Sequence, residues 1–229
     1  MTFTYGFGQP AINNVSCHIT HGEKIALVGV SGSGKSTLVK LLVNFFKPNE
    51  GVIKLDGIDI QKLDKRLLRN GINYLPQEPF IFSGTIMENL LLGANSGTSE
   101  DDIVRATEIA EIKADIEKMP QGFLTELSEN GNLSGGQKQR ISLARSLLTN
   151  SNTLILDEST SNLDVLTEKK IINNLIQLED KTIIFVAHRL SIAQKVDRIL
   201  TMKNGEIVED GSHKELIIRD GFYSSLYKE

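Results

Sequence analysis

A single cysteine, no excess of basic charge and no long apolar run are the first marks of this 229-residue sequence. The solitary Cys17 can close no intramolecular disulfide and build no thiolate metal site, which fits a reducing compartment. It is expected as a small buried core residue. Lys and Arg number 25 against 29 Asp and Glu, a formal net charge of -4. That balance gives no general attraction to nucleic acid or anionic lipid, so a bound anion must be held locally. The longest apolar stretches, 25–30 and 38–46, are short or broken by Lys40 and Asn44. Neither approaches the roughly 18 residues of a spanning helix, so none is expected to cross a membrane. Residues 1–5 show no basic segment followed by an apolar one, so no secretory signal is expected and a cytoplasmic location is.

What is present is enough apolar material, 40% of residues, for one sizeable core in one domain. Three continuously apolar, β-branched runs, 25–30, 154–156 and 182–187, read as parallel strands covered on both faces. Helical patterns follow each, at 35–46, 164–178 and 190–195, giving α/β winding. Alternation at 2–5, 15–20 and 52–60, with turns at His21-Gly22 and Asp56-Gly57, predicts a small antiparallel sheet near the front. From 78 to 149 the apolar spacing is helical almost throughout, with a capping box at Ser99 and Asp102 and Pro120 closing a helix. The expected division is a core of about 1–77 and 150–229 with a helical insert of about 78–149. Asn204-Gly205 predicts a hairpin, and Ser212 with Glu215 starts a further helix.

Gly29-Val-Ser-Gly-Ser-Gly34-Lys35-Ser36 satisfies G-x-x-x-x-G-K-[ST] between a buried strand and a helix. At about 7% Gly usage, chance yields this string in roughly one chain of this length per hundred. Gly32 and Gly34 let backbone N–H groups turn inward around phosphate oxygens, where a Cβ would obstruct. Lys35 supplies charge to the β and γ phosphates, Ser36 a hydroxyl to Mg²⁺, and the helix its positive end.

Thr153-Leu-Ile-Leu-Asp157-Glu158 is a buried strand ending in two acids. Asp157 is placed to hold Mg²⁺, usually through a water, and Glu158 to accept a proton from a water attacking the γ phosphate. His188 follows the strand at 182–187 and is either a satisfied strand-end group or a donor that senses the γ phosphate.

Leu133-Ser134-Gly135-Gly136-Gln137 opens a helix in which Ser134 is a good N-cap and two glycines expose helix N–H groups, a second anion site. Here the sequence resembles the ATP-binding cassette (ABC) family, whose signature is this pentapeptide. The order phosphate loop, Gln77, signature, Asp157-Glu158, Asp164, His188 is also that family's, and the resemblance covers 2–227. It implies an ABC ATPase fold: a P-loop NTPase core with a parallel sheet, an antiparallel β subdomain and an inserted α-helical subdomain. It implies that Tyr5 stacks on adenine and that Gly29, Ser31, Gly32, Ser33, Gly34, Lys35, Ser36 and Thr37 cradle ATP. Gln77 would join Ser36 and Asp157 at Mg²⁺, while Glu158, His188, Lys35 and Gln77 would act in hydrolysis. Ser134, Gly135, Gly136 and Gln137 would face the nucleotide of a second copy, with two ATP between two subunits and Asp164 linking the sites.

Ser83-Gly-Thr-Ile-Met-Glu-Asn-Leu and Thr125-Glu-Leu-Ser-Glu129-Asn-Gly131 look like exporter cassettes fused to membrane helices, with Glu129 communicating with the transmembrane part. Leu90-Leu-Leu-Gly-Ala, Leu166-Thr-Glu-Lys-Lys-Ile and Gly221-Phe-Tyr are similar to exporters of competence (quorum-sensing) peptides and bacteriocins of Gram-positive bacteria. Those carry a cysteine peptidase and six membrane helices ahead of the cassette, and Cys17 does not match the peptidase nucleophile. The implied setting is the cytoplasmic face of the cell membrane, with the transmembrane domain of the same full-length protein as partner and no nucleic acid. Ser159 and 125–128 depart from the commoner family pattern. Rival readings are an importer subunit, a soluble cassette acting on ribosome or DNA, and a GTPase or small-molecule kinase. For the last, no Asn-Lys-x-Asp guanine reader occurs.

Overall fold

The computed structural model describes residues 1–128, 133–160, 162–187 and 190–228. The expectations for Glu129 and His188 lie outside the described residues. Strand β1 (Lys24–Val28) is buried at every position, and the chain leaves it through the glycine loop into helix α1 (Lys35–Leu42). A two-residue hairpin, β2 (Lys54–Leu55) and β3 (Ile58–Asp59), turns at Asp56-Gly57. Helix α2 (Lys65–Gly71) leads to β4 (Ile72–Leu75). Next come β5 (Gly84–Thr85), α3 (Ile86–Leu91), α4 (Glu100–Ile109), α5 (Lys113–Glu117), β6 (Glu126–Leu127) and α6 (Gly135–Leu147). The chain then alternates through β7 (Thr153–Asp157), α7 (Val165–Ile176), β8 (Thr182–Val186), β9 (Arg198–Lys203) and β10 (Glu206–Gly211), and ends in α8 (His213–Arg219) and α9 (Phe222–Lys228).

The main sheet runs β10-β9-β1-β8-β7-β4, parallel except for the β9–β10 hairpin at one edge. Alternation along its central strands divides the apolar side chains between two layers. Ile25, Leu27, Ile155 and Ile184 meet α1 residues Leu38, Val39 and Leu41 and the front residues Phe3 and Ile12. Ala26, Val28, Leu154, Leu156 and Phe185 face the other layer, with Ile171 and Leu175 of α7 and Ile141 and Ala144 of α6. At about 1.5–3 kcal/mol for each fully buried aliphatic side chain, these two layers are the main driving force of the fold. The sheet thereby presents the ends of β1, β7 and β8 together on one rim.

Several local expectations change. Of the front antiparallel sheet only the β2–β3 hairpin and the bridges Thr2–Glu50 and Phe3–Ile12 form. Segment 15–20 joins no strand because its backbone partners are scattered: Val15 N–H donates to Met1 O at 3.0 Å and His18 O accepts from Arg198 at 2.8 Å. Cys17 in that segment is exposed rather than buried, since no layer covers it. Helix α1 stops at Leu42 instead of 46. Asn44 takes a left-handed φ of 59° and the Phe45 N–H closes back on Lys40 O at 2.8 Å, a glycine-like helix stop. At 190–195 only a 3₁₀ turn, Leu190–Ile192, forms, because six residues scarcely meet the cost of helix nucleation. Strand β4 and helix α9 were not anticipated from the sequence. Among the described residues no helix is long and apolar enough to cross a membrane.

Candidate nucleotide site

The loop after β1 is shaped by what a Cβ would strike. Gly29 has φ 149°, and a Cβ there would lie 2.3 Å from Met202 O on β9, so only glycine brings the loop this close to the sheet. The loop is fixed from the hairpin side as well: Gly205 N–H donates to Ser33 O at 2.9 Å. Gly34, at φ 105°, caps α1 without any side-chain bond, so the first helix N–H groups keep their capacity for an anion. Ser33 Oγ is buried in this cradle with no hydrogen-bond partner. Ser31 and Ser36 are exposed, and Thr37 Oγ1 accepts from Tyr5 Oη at 3.3 Å. Tyr5 meets Phe3 and Phe46 edge-on, at 4.9 and 5.3 Å, which fixes its ring while 48% of the residue stays exposed.

Lys35 is buried, and its Nζ donates to Gly29 O at 2.7 Å and Val30 O at 3.1 Å. Burial lowers its pKa from the ordinary value, and the negative charges of Glu158 and Asp157 oppose that shift. The two acids at the end of β7 therefore act on the loop lysine across the sheet rim. Asp157 is 7% exposed, and burial raises its carboxyl pKa while the hydrogen bond from Tyr74 opposes. Tyr74 Oη donates to Asp157 Oδ2 at 2.9 Å. Burial and the Asp157 charge together push the phenol well above its usual range.

Glu158 takes φ 49°, a conformation uncommon outside glycine and costing of order 1–3 kcal/mol, with its N–H anchored to Val186 O at 3.2 Å. Its Oε2 accepts from Gln77 Nε2 at 3.0 Å. Thus Lys35, Asp157, Glu158 and Gln77, named from the sequence, converge.

Ser134 caps α6 as expected: its Oγ accepts from Gln137 N–H at 3.2 Å while Gln137 Oε1 accepts from Ser134 N–H at 3.0 Å. Among the described residues these two bond to each other, and no hydrogen bond joins them to the loop after β1. A Cβ on Gly136 would lie 3.2 Å from both Asn162 O and Leu163 Cδ2, so glycine lets the helix start rest on the segment before α7. Asp164 caps α7 through Oδ1, which accepts from Leu166 N–H at 3.1 Å and Thr167 N–H at 3.0 Å.

Two side chains escaped the sequence reading. Tyr74 lies on the unanticipated strand β4; the alternation of Ile72 and Tyr74 just ahead of Gln77 was the available signal. Buried Gln139 on α6 donates to Gln77 O at 3.4 Å and accepts from Asn162 N–H at 3.2 Å, tying α6 to both loops. Its place two residues beyond the signature gave no sign of that.

Comparison with known proteins gives the chain's family and fold. The family described as "ABC transporter" matches residues 12–161. The mesentericin transport/processing ATP-binding protein MesD of Leuconostoc mesenteroides is 70% identical over 227 residues, 99% of this chain and 31% of that protein. The transport/processing ATP-binding protein ComA of Streptococcus pneumoniae is 52% identical over 225 residues, 98% of this chain and 31% of its own. A bacterial Atm1-family ABC exporter with ATP bound superposes with a TM-score of 0.93 at 38% identity, covering 99% of this chain and 40% of that one. The chain spans about a third of the length of the curated relatives it matches. With a phosphate loop, two strand-end acids and a glycine-started signature helix on this α/β frame, the chain belongs to the ABC transporter family and has the fold of its ATPases.

Proposed function

We propose that this chain binds and hydrolyses ATP with Mg²⁺, closes with a second copy around two ATP molecules, and drives export through transmembrane helices of the same full-length protein. The observation that carries this reading is the convergence of Lys35, Asp157, Glu158 and Gln77 beside a glycine cradle holding the unpartnered, buried Ser33 Oγ. A glycine-lined turn running into the uncapped first N–H groups of α1 fits phosphate oxygens. The exposed Ser36 hydroxyl, the Asp157 carboxylate and the Gln77 amide are hard oxygen donors suited to Mg²⁺. When bound, the ion supplies neutralising charge to the β and γ phosphates.

In this reading Lys35 exchanges its loop carbonyls for phosphate oxygens, and Tyr5 offers its open ring face to adenine. Glu158 takes the proton of the attacking water, positioned by its left-handed backbone and by Gln77. Ser134, Gly135, Gly136 and Gln137 act on the partner's nucleotide, a role that suits a glycine-started helix end whose capping residues, among the described residues, bond each other and make no hydrogen bond to the loop of their own chain. Asp164 follows the segment on which Gly136 rests and so lies where the two sites communicate. The core, 1–77 with 150–229, and the helical part, 78–149, then form the two halves of each composite site.

The exported cargo is a signalling peptide or bacteriocin with a double-glycine leader, a proposal supported by relatives named for transport and processing. That setting puts the chain on the cytoplasmic face of the membrane. The exposed aromatic pair Phe80 and Phe82, 4.7 Å apart just beyond Gln77, offers the membrane part a docking face. Hydrolysis of ATP by the chain, measured with Mg²⁺ and with EDTA, tests the reading: Mg²⁺-dependent turnover supports it, and none at any chain concentration contradicts it.

A further inference from the structure

Two adjacent acids end β7, and each is held by a different side chain of one short segment: Glu158 by Gln77 and Asp157 by Tyr74. The sheet register explains the second contact. Tyr74 of edge strand β4 stands opposite Ile155, so Asp157 lies two residues further along the same face, diagonally above Tyr74. Spanning that diagonal takes a long side chain, and a tyrosine ends in the required donor. The ring is steadied by Phe45, which meets it edge-on at 6.0 Å.

We propose that Tyr74 is a positioning residue for the metal site: by donating to Oδ2 of the buried Asp157 it fixes the carboxylate plane and leaves Oδ1 to face the cation or its water. This rests on the reading of Asp157 as a holder of Mg²⁺. Asp157 is 7% exposed, so little water can replace the phenol if it is removed. A carboxylate that loses such a partner turns away from its working orientation, and partners of this kind contribute roughly 10–100-fold to metal affinity where they have been removed.

The test uses Tyr74→Phe, which keeps the ring and its Phe45 contact and deletes only the hydroxyl. Mn²⁺ uptake in the presence of a non-hydrolysable ATP analogue is followed by the loss of free-ion EPR signal, and binding of the same analogue is measured in EDTA. The expected result is about tenfold weaker Mn²⁺ uptake, with metal-free analogue binding within about twofold of the parent, since Tyr74 bonds an acid and not the phosphate cradle. Unchanged Mn²⁺ uptake overturns the proposal. An equal loss of metal uptake and of metal-free binding overturns it too, because that is the mark of general unfolding. Asp157→Asn separates the premise: if this variant takes up Mn²⁺ as the parent does, the metal reading itself fails; if it weakens uptake while Tyr74→Phe does not, only the role of Tyr74 fails.

Discussion

Gln77 donates from its side-chain amide to the carboxylate of Glu158 at 3.0 Å, tying the segment after β4 to the acid at the end of β7. This bond, with the φ of 49° at Glu158, aims the carboxylate from the segment after β4. In the proposed mechanism, binding and proton transfer fall to different groups. Glu158→Gln, which accepts the same amide, is expected to lower turnover by about 10²–10⁴ while ATP binding is retained. Steady-state hydrolysis and a binding titration check both halves; undiminished turnover removes Glu158 as the base.

Lys35 has the opposite profile. Among the described residues its Nζ bonds to carbonyls of the loop that it would leave for phosphate, and burial already disfavours its charge, so a phosphate partner compensates both. Lys35→Ala is expected to lose ATP affinity at least tenfold, from the loss of one charge-assisted contact. Equal affinity, measured by calorimetry, contradicts that assignment.

Gln139 is a structural link, and its loss tests the frame more than the chemistry. Gln139→Ala removes a buried amide that bonds Gln77 O and Asn162 N–H, groups on residues that are themselves exposed. A destabilisation of about 1 kcal/mol in urea unfolding is expected, because water can partly replace the lost partner at both backbone groups. An unchanged midpoint would mean that water satisfies both groups.

The helix caps set an acid limb of stability. Bonds from Ser99 hold the Asp102 pKa below its ordinary 3.8, and bonds from Ser212 hold Glu215 below 4.5. For a depressed acid the stabilisation is fully present above the unfolded value and is lost as pH falls through the lower folded value. Asp102→Asn with Glu215→Gln should therefore flatten the fall in melting temperature below about pH 4.5. An identical pH slope in the double variant contradicts the capping account.

Legibility in the sequence followed the range of the interactions. The phosphate loop, the Ser134–Gln137 cap and the Asp56-Gly57 and Asn204-Gly205 turns are local patterns, each complete within a few residues, and each stands where it was expected. The helix expected from 164 forms for the same reason, with Asp164 as its N-cap. Strand β4 was not, because Ile72-Asn-Tyr-Leu is short and half polar at a sheet edge, where only one neighbour pairs with it. Tyr74 and Gln139 are defined by partners 83 and 62 residues away. Segment 15–20 erred in the other direction: alternation was present, but no neighbouring strand was there to use it.

The central claim is that two copies share their nucleotides, and the mass of Glu158→Gln in solution with Mg²⁺ and ATP tests it most directly. Light scattering on the eluting peak is expected to double on adding Mg·ATP, and Ser134→Arg in the same background should abolish the doubling. A chain that stays single at saturating Mg·ATP and high protein concentration, or that pairs equally well with Arg at 134, contradicts it.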